Sequence, residues 1–119
     1  MAWEVEYTEE FGNWWRTLTP GEQVDVDAAV RLLEEKGPAL TRPYSDVITS
    51  SRHANMKELR IQHKGKPYRV LYAFDSRRMA ILLLGGSKSG NRRWYRTAVP
   101  RADKLYDQHL RELQKEGLI

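Results

Sequence analysis

Hydrophobic and polar positions change their period along this chain, and the changes mark out its elements. Trp3, Val5 and Tyr7 alternate with Glu4 and Glu6, the period of two expected of a half-buried strand. Phe11, Trp14, Trp15 and Leu18 then stand at i, i+3, i+4 and i+7. That spacing puts them on one stripe of a helix and assigns both tryptophans to the core. Thr19-Pro20-Gly21-Glu22 opens a second helix, with Thr19 as cap, Pro20 in the first position and Glu22 closing a capping box. Its apolar stripe is Val26, Ala29, Val30 and Leu33, and Gly37-Pro38 ends it, because proline cannot continue the ladder and glycine accepts a left-handed cap. The two helices form an αα-hairpin.

Residues 38–55 hold no sustained period and predict an irregular loop. Lys57–His63 returns to alternation, with Leu59 and Ile61 on one face and Glu58, Arg60 and Gln62 on the other. Residues 68–74 are rich in strand formers. Residues 79–84 are uniformly apolar, as suits a central strand covered on both faces. Turns are expected at 64–67 and 75–78, and a flexible loop at 85–90. After Pro100 a last helix buries Ala102, Leu105, Tyr106, Leu110 and Leu113. The predicted order is β-α-α-β-β-β-α. This is a single α+β domain over residues 1–119, with an antiparallel meander packed against the αα-hairpin and the C-terminal helix.

Composition and charge narrow the function. The absence of cysteine excludes disulfides, thiolate metal sites and a cysteine nucleophile. The N-terminal residues lack the pattern of a signal peptide, and the longest apolar run, six residues at 79–84, is too short to span a bilayer. A soluble cytoplasmic protein without a membrane partner is expected. Net charge is +4, unevenly distributed. Residues 52–101 carry thirteen Lys/Arg against two acids, Glu58 and Asp75, whereas residues 1–51 carry four against ten. A basic middle with an acidic front suits a polyanion partner on one face.

The hairpins suggest where that face lies. A two-residue loop at Lys64-Gly65 puts Arg60 opposite Arg69, and a four-residue loop at 64–67 makes them diagonal neighbours. Either way two like charges share a face, which costs energy unless water or an anion compensates. If Phe74 opposes Met79 in the next hairpin, Arg69 faces Leu84 and Lys88 reaches the turn end of the same surface. Tyr68, Val70 and Tyr72 supply the packing of their strand, so the Arg69 side chain is not needed for the core. Further along, Arg92, Arg93 and Arg96 flank Trp94 and Tyr95. Cations interleaved with aromatics suit single-stranded RNA, and the two rings are equally suited to seal the core. His53, His63 and His109 have no metal-like spacing. Gly85–Gly90 does not meet the phosphate-loop pattern, and no dinucleotide fingerprint or nucleophile elbow is present. Neither a metal nor a cofactor is expected.

Three stretches in order carry a resemblance: Lys57-Glu58-Leu59-Arg60, then Tyr68-Arg69-Val70-Leu71-Tyr72-Ala73-Phe74-Asp75, then an apolar strand ending Gly85-Gly86-Ser87-Lys88. Together they resemble the meander of HigB-like (phage Gp49-like) toxins of the RelE/ParE superfamily. The resemblance covers nearly the whole chain. It implies a RelE-like microbial ribonuclease fold and a toxin of a type II toxin–antitoxin system. The implied activity is metal-independent endonucleolytic cleavage of mRNA on the ribosome, which inhibits translation. The implied partners are mRNA, the ribosome and a HigA-like antitoxin with a helix-turn-helix DNA-binding domain. Carried onto these residues, Arg69 holds the scissile phosphate and Arg60 assists. Lys88 protonates the leaving oxygen, and Tyr95 stacks on or orients the substrate. Lys57, Arg77, Arg78, Arg92, Arg93 and Trp94 complete the expected substrate-binding set. Two other readings compete: a ParE-like gyrase poison on the same scaffold, and a non-enzymatic basic nucleic-acid-binding module.

Overall fold

A computed structural model describes residues 2–87 and 92–119. Strand β1 (Val5–Tyr7) leads into α1 (Glu9–Thr17) and α2 (Pro20–Lys36), and a short 3₁₀ turn follows (Gly37–Ala39). Then come β2 (Ser45–Val47), β3 (Lys57–His63), β4 (Lys66–Phe74), β5 (Ala80–Ser87) and α3 (Arg93–Lys115). The five strands form one sheet in the order β1-β5-β4-β3-β2. β1 runs parallel to β5, and the other neighbours are antiparallel. Among the described residues, no helix is long and apolar enough to cross a membrane.

The helix starts follow from their caps. Thr8 Oγ1 accepts from the Phe11 amide at 3.0 Å and donates to the Leu83 carbonyl at 2.6 Å, so one hydroxyl both starts α1 and ties it to β5. The expected capping box of α2 is present: the Thr19 amide donates to Glu22 Oε1 at 2.7 Å and the Glu22 amide to Thr19 Oγ1 at 3.2 Å. The sheet is covered on both faces. Phe11, Val26 and Leu33 of the αα-hairpin pack against Leu59, Ile61, Val70 and Tyr72. Ala98, Val99, Ala102, Leu105 and Tyr106 of α3 pack against Leu71, Ala73, Ile81 and Leu83.

Several boundaries depart from expectation. The segment 38–55 is not all loop: Ser45–Val47 pairs with β3 as an edge strand, too short for a period to show. β5 runs through Gly85 and Gly86 to Ser87, where a flexible loop was expected. Both glycines are required by close approach, since a Cβ on Gly85 would lie 2.3 Å from the Trp14 ring and one on Gly86 2.4 Å from Trp94 Nε1. α3 begins at Arg93, with Pro100 inside it. A mid-helix proline loses one hydrogen bond, and the burial of Ala98, Val99 and Ala102 around it offsets that loss.

Register is the part of the fold that positions the site. Lys64 (φ 49°) and Gly65 (φ 78°) form a two-residue turn, the primed type that matches strand twist. It sets Arg60 directly opposite Arg69. In the next hairpin the expected pairing fails. Phe74 opposes Ala80, and a bulge between Leu71 and Tyr72 shifts the remainder, so that Arg69 faces Gly86 rather than Leu84. A bulge inserts one unpaired residue, and a uniformly apolar strand gives no alternation from which to read it.

Candidate functional site

On the α3 side of the sheet, Arg60, Arg69 and Gly86 form one row across β3, β4 and β5. Glu58 shares the parity of Arg60 and sits opposite Leu71. Its carboxylate is the centre of the arrangement. Glu58 Oε1 lies 3.5 Å from Arg69 Nε, and Oε2 lies 3.8 Å from an Arg60 terminal nitrogen. The Tyr95 hydroxyl, from the first turn of α3, donates to Glu58 Oε1 at 2.5 Å. Glu58 and Arg69 are only 5% and 4% exposed, which corrects the expectation that the Arg69 side chain is dispensable to the interior. Arg69 donates to the Tyr68 carbonyl at 3.0 Å, while its Nε is buried without a hydrogen-bond partner. Burial and the bond to Glu58 push the Tyr95 phenol above its ordinary range, and the Arg69 guanidinium draws it partly back.

Two guanidiniums thus share one carboxylate, neither at hydrogen-bond distance, with a phenol beside them. Arg60 is the more accessible of the two cations. Trp94 seats its indole over Gly86 and meets the Tyr95 ring edge-on, with centroids 5.2 Å apart. Trp94 therefore seals this corner, and its ring packs against the α3-side core. Arg92, the N-cap residue, and Arg93 are exposed where α3 begins, with Arg96 one turn on. This first turn contains no acidic residue, although a helix N-terminus favours negative charge.

Other expected residues lie elsewhere. Lys57 has the parity of Leu59 and Ile61, so it faces the αα-hairpin, where its Nζ donates to the Pro38 carbonyl at 3.4 Å. Arg77 and Arg78 sit in the β4–β5 turn, at the opposite end of β4 from the Lys64-Gly65 turn. Arg77 bridges Glu6 at 2.5 Å and Asp75 at 2.7 Å, and Arg78 lies 4.7 Å above the Trp3 ring. The structure does not bring these three together with the Arg60–Arg69 row. Lys88 lies outside the described residues. Glu58 was not singled out from sequence, although its parity with Arg60 and its rarity as an acid among residues 52–101 were signals.

The histidines brace the fold. His53 meets Asp107 at 2.8 Å, His63 meets Asp25 at 2.7 Å, and His109 meets Asp75 at 3.1 Å, each joining separate elements. Glu6, Asp75 and His109 come close enough to hold a metal ion. The Arg77 guanidinium already bonds both carboxylates, so the protein supplies that cation itself. Burial pushes the Asp75 carboxyl up, but its bonds to Arg77 and His109 more than offset this and hold it below the usual range.

The family described as Phage derived protein Gp49-like matches residues 13–107. The Mycobacterium tuberculosis (strain ATCC 25618 / H37Rv) protein HigB3, which carries the name of a toxin, is 47% identical over 99 residues, covering 82% of this chain and 85% of its own length. HigB2 of the same organism, also named as a toxin, is 38% identical over 116 residues. That match covers 96% of this chain, which spans only 57% of HigB2. Among solved structures, a mutant of the E. coli toxin RelE in the free state matches with a TM-score of 0.60 at 17% identity, over 85% of this chain and 98% of that one. The RelE–RelB complex of Pyrococcus horikoshii OT3 matches at 0.53 and 17% identity, over 74% of this chain and 97% of that one. These structural likenesses establish the fold, and the sequence matches establish the family. The chain belongs to the phage-derived Gp49-like family and, with HigB2 and HigB3, to the HigB-like toxins, and it has the fold of RelE.

Proposed function

We propose that this toxin is an endoribonuclease that cuts mRNA on the ribosome. In this reading Arg60, Arg69 and Tyr95 form the reaction centre, with Arg92, Arg93 and Trp94 at its rim. The observation that carries the proposal is the direct pairing of Arg60 with Arg69 around one carboxylate. Such a centre retains a net positive charge, two guanidiniums against one carboxylate. A phosphodiester passing through a dianionic phosphorane is the species it suits, because fixed cations stabilise charge that grows in the transition state. The 2′-hydroxyl attacks the adjacent phosphate and the 5′-oxygen leaves. The donor set argues for cleavage without a divalent ion, since the one carboxylate of the cluster is already flanked by two guanidiniums.

An antitoxin completes the proposal. Two of the matching structures are toxin–antitoxin complexes, and a HigA-like partner with a helix-turn-helix domain would occupy the corresponding role here. The test is induction in a bacterium with mapping of transcript 5′ ends, alongside purified protein on ribosomes programmed with a defined mRNA. New 5′ ends and a halt in translation before replication are expected. Intact transcripts with gyrase-linked DNA breaks would move the assignment to a gyrase poison.

A further inference from the structure

We propose that Glu58 is the positioning residue of this centre and the proton sink behind Tyr95. The inference rests on the ribonuclease reading and assigns its general base. The Glu58 carboxylate lies behind the Tyr95 hydroxyl that bonds it and between two guanidiniums, so it acts through Tyr95. Tyr95 is half-buried and donates its hydroxyl proton to Glu58 Oε1 at 2.5 Å. The pair spans β3 and the first turn of α3, so both groups are held by packed elements. Arg69 lies against both, since its Nε is 3.5 Å from the same carboxylate oxygen and its guanidinium opposes the rise of the Tyr95 phenol.

The 2′-oxygen forms a bond to phosphorus, and its proton passes to Tyr95 Oη as the Tyr95 proton passes to Glu58 Oε1. The bond from phosphorus to the 5′-oxygen breaks, and that oxygen keeps the electron pair and takes a proton from solvent. The products are a 2′,3′-cyclic phosphate and a 5′-hydroxyl. Glu58 then returns its proton to solvent through Tyr95. Throughout, Tyr95 holds one proton at a time, and Arg69 stabilises whatever phenolate character develops.

The charged groups around Glu58 are Arg60 on its own strand, Arg69 on β4, Tyr95 on α3, and Asp46 on β2, which bonds Arg42 at 2.6 Å.

The test is single-turnover cleavage of ribosome-bound mRNA across substrate concentrations for the wild type, Glu58→Gln, Tyr95→Phe and the double variant. Glu58→Gln keeps an acceptor of the same shape, and Tyr95→Phe leaves the Glu58 charge in place, so the second variant tests the relay if the first fails to fold. Each single variant should lose about a hundredfold in rate, the lower range for general base catalysis, with little change in KM. The double variant should be no slower than the slower single one, because both remove the same path. A wild-type rate in either single variant, a loss that appears in KM alone, or losses that multiply in the double, overturn the relay while leaving the ribonuclease reading intact. A wild type that cuts no RNA overturns both.

Discussion

Arg60 and Arg69 face each other across two strands, yet substituting them should differ in its effect on stability. Arg69 is buried against Glu58, whereas about a third of the Arg60 side chain is open to solvent. Removing one partner of a buried charge pair leaves the other uncompensated, at a cost of about 3 kcal/mol. Arg69→Ala should therefore lower the unfolding midpoint markedly as well as abolish cleavage. Arg60→Ala should leave thermal unfolding within about 0.5 kcal/mol, the usual effect of a surface change, and still slow cleavage by about a hundredfold. Urea titration and single-turnover rates separate the two, and a stable Arg69→Ala protein would contradict the burial argument. Gly86 gives a third expectation at this scale. Its Cβ would sit 2.4 Å from Trp94 Nε1, so Gly86→Ala should cost about 1–3 kcal/mol, the usual range for overpacking. It should also displace the indole, read as a shift in tryptophan emission. An unchanged spectrum and midpoint would show that Trp94 does not seat there.

The elements most legible in the sequence were those with long periods or explicit punctuation. Thr19 and Glu22 announced the start of α2, and the Lys64-Gly65 turn permitted the register that pairs Arg60 with Arg69. β2 has too few residues to show a period, and the bulge that leaves Leu83 of β5 unpaired has no trace in a run that is apolar from 79 to 84. Pro100 was read as a helix boundary, but the packing around it overrides its local preference. Glu58 was visible as the polar side of a strand, and its importance arises only when Tyr95 folds back across the sheet. The capping box yields a pH prediction. The bond from the Tyr68 hydroxyl, followed by the Thr19 amide, lowers Glu22 from 4.5 to about 2. Its folded value lies below its unfolded one, so its contribution to stability is present above pH 4.5 and fades as pH falls toward about 2. Glu22→Gln should flatten the stability profile in that window, and Thr19→Ala should cost about 1 kcal/mol at neutral pH. A Glu22→Gln profile as steep as the wild type's would shift the source of acid lability to Asp75 and Asp107, which are also held low.

Over the whole molecule, the concentration of positive charge in residues 52–101 overstates the RNA-facing charge. Arg52 is bound to Asp103 and Asp107, Arg77 to Glu6 and Asp75, and Arg101 to Glu10. These cations join the sheet and loops to α3 and α1, so part of the basic segment is mortar between the acidic front and the rest of the fold. The cations able to meet a phosphate gather instead around Arg60 and the first turn of α3, where Arg92 and Arg96 are exposed. Salt dependence can separate these populations. Each phosphate contact on a single strand contributes about −0.7 to the slope of log affinity against log salt. Arg60→Gln and Arg96→Gln should each reduce the magnitude of that slope by about 0.7, measured with a labelled RNA between about 50 and 200 mM salt. Arg101→Gln and Arg77→Gln should leave the slope unchanged, although Arg77→Gln should weaken the fold by exposing the buried Asp75 carboxylate to loss of its partner. The same net charge is removed in all four variants, so general attraction predicts equal changes and a localised face predicts a split. A slope reduced as much by Arg101→Gln as by Arg60→Gln would mean general attraction to the basic segment and would overturn a localised face at the Arg60–Arg69 row.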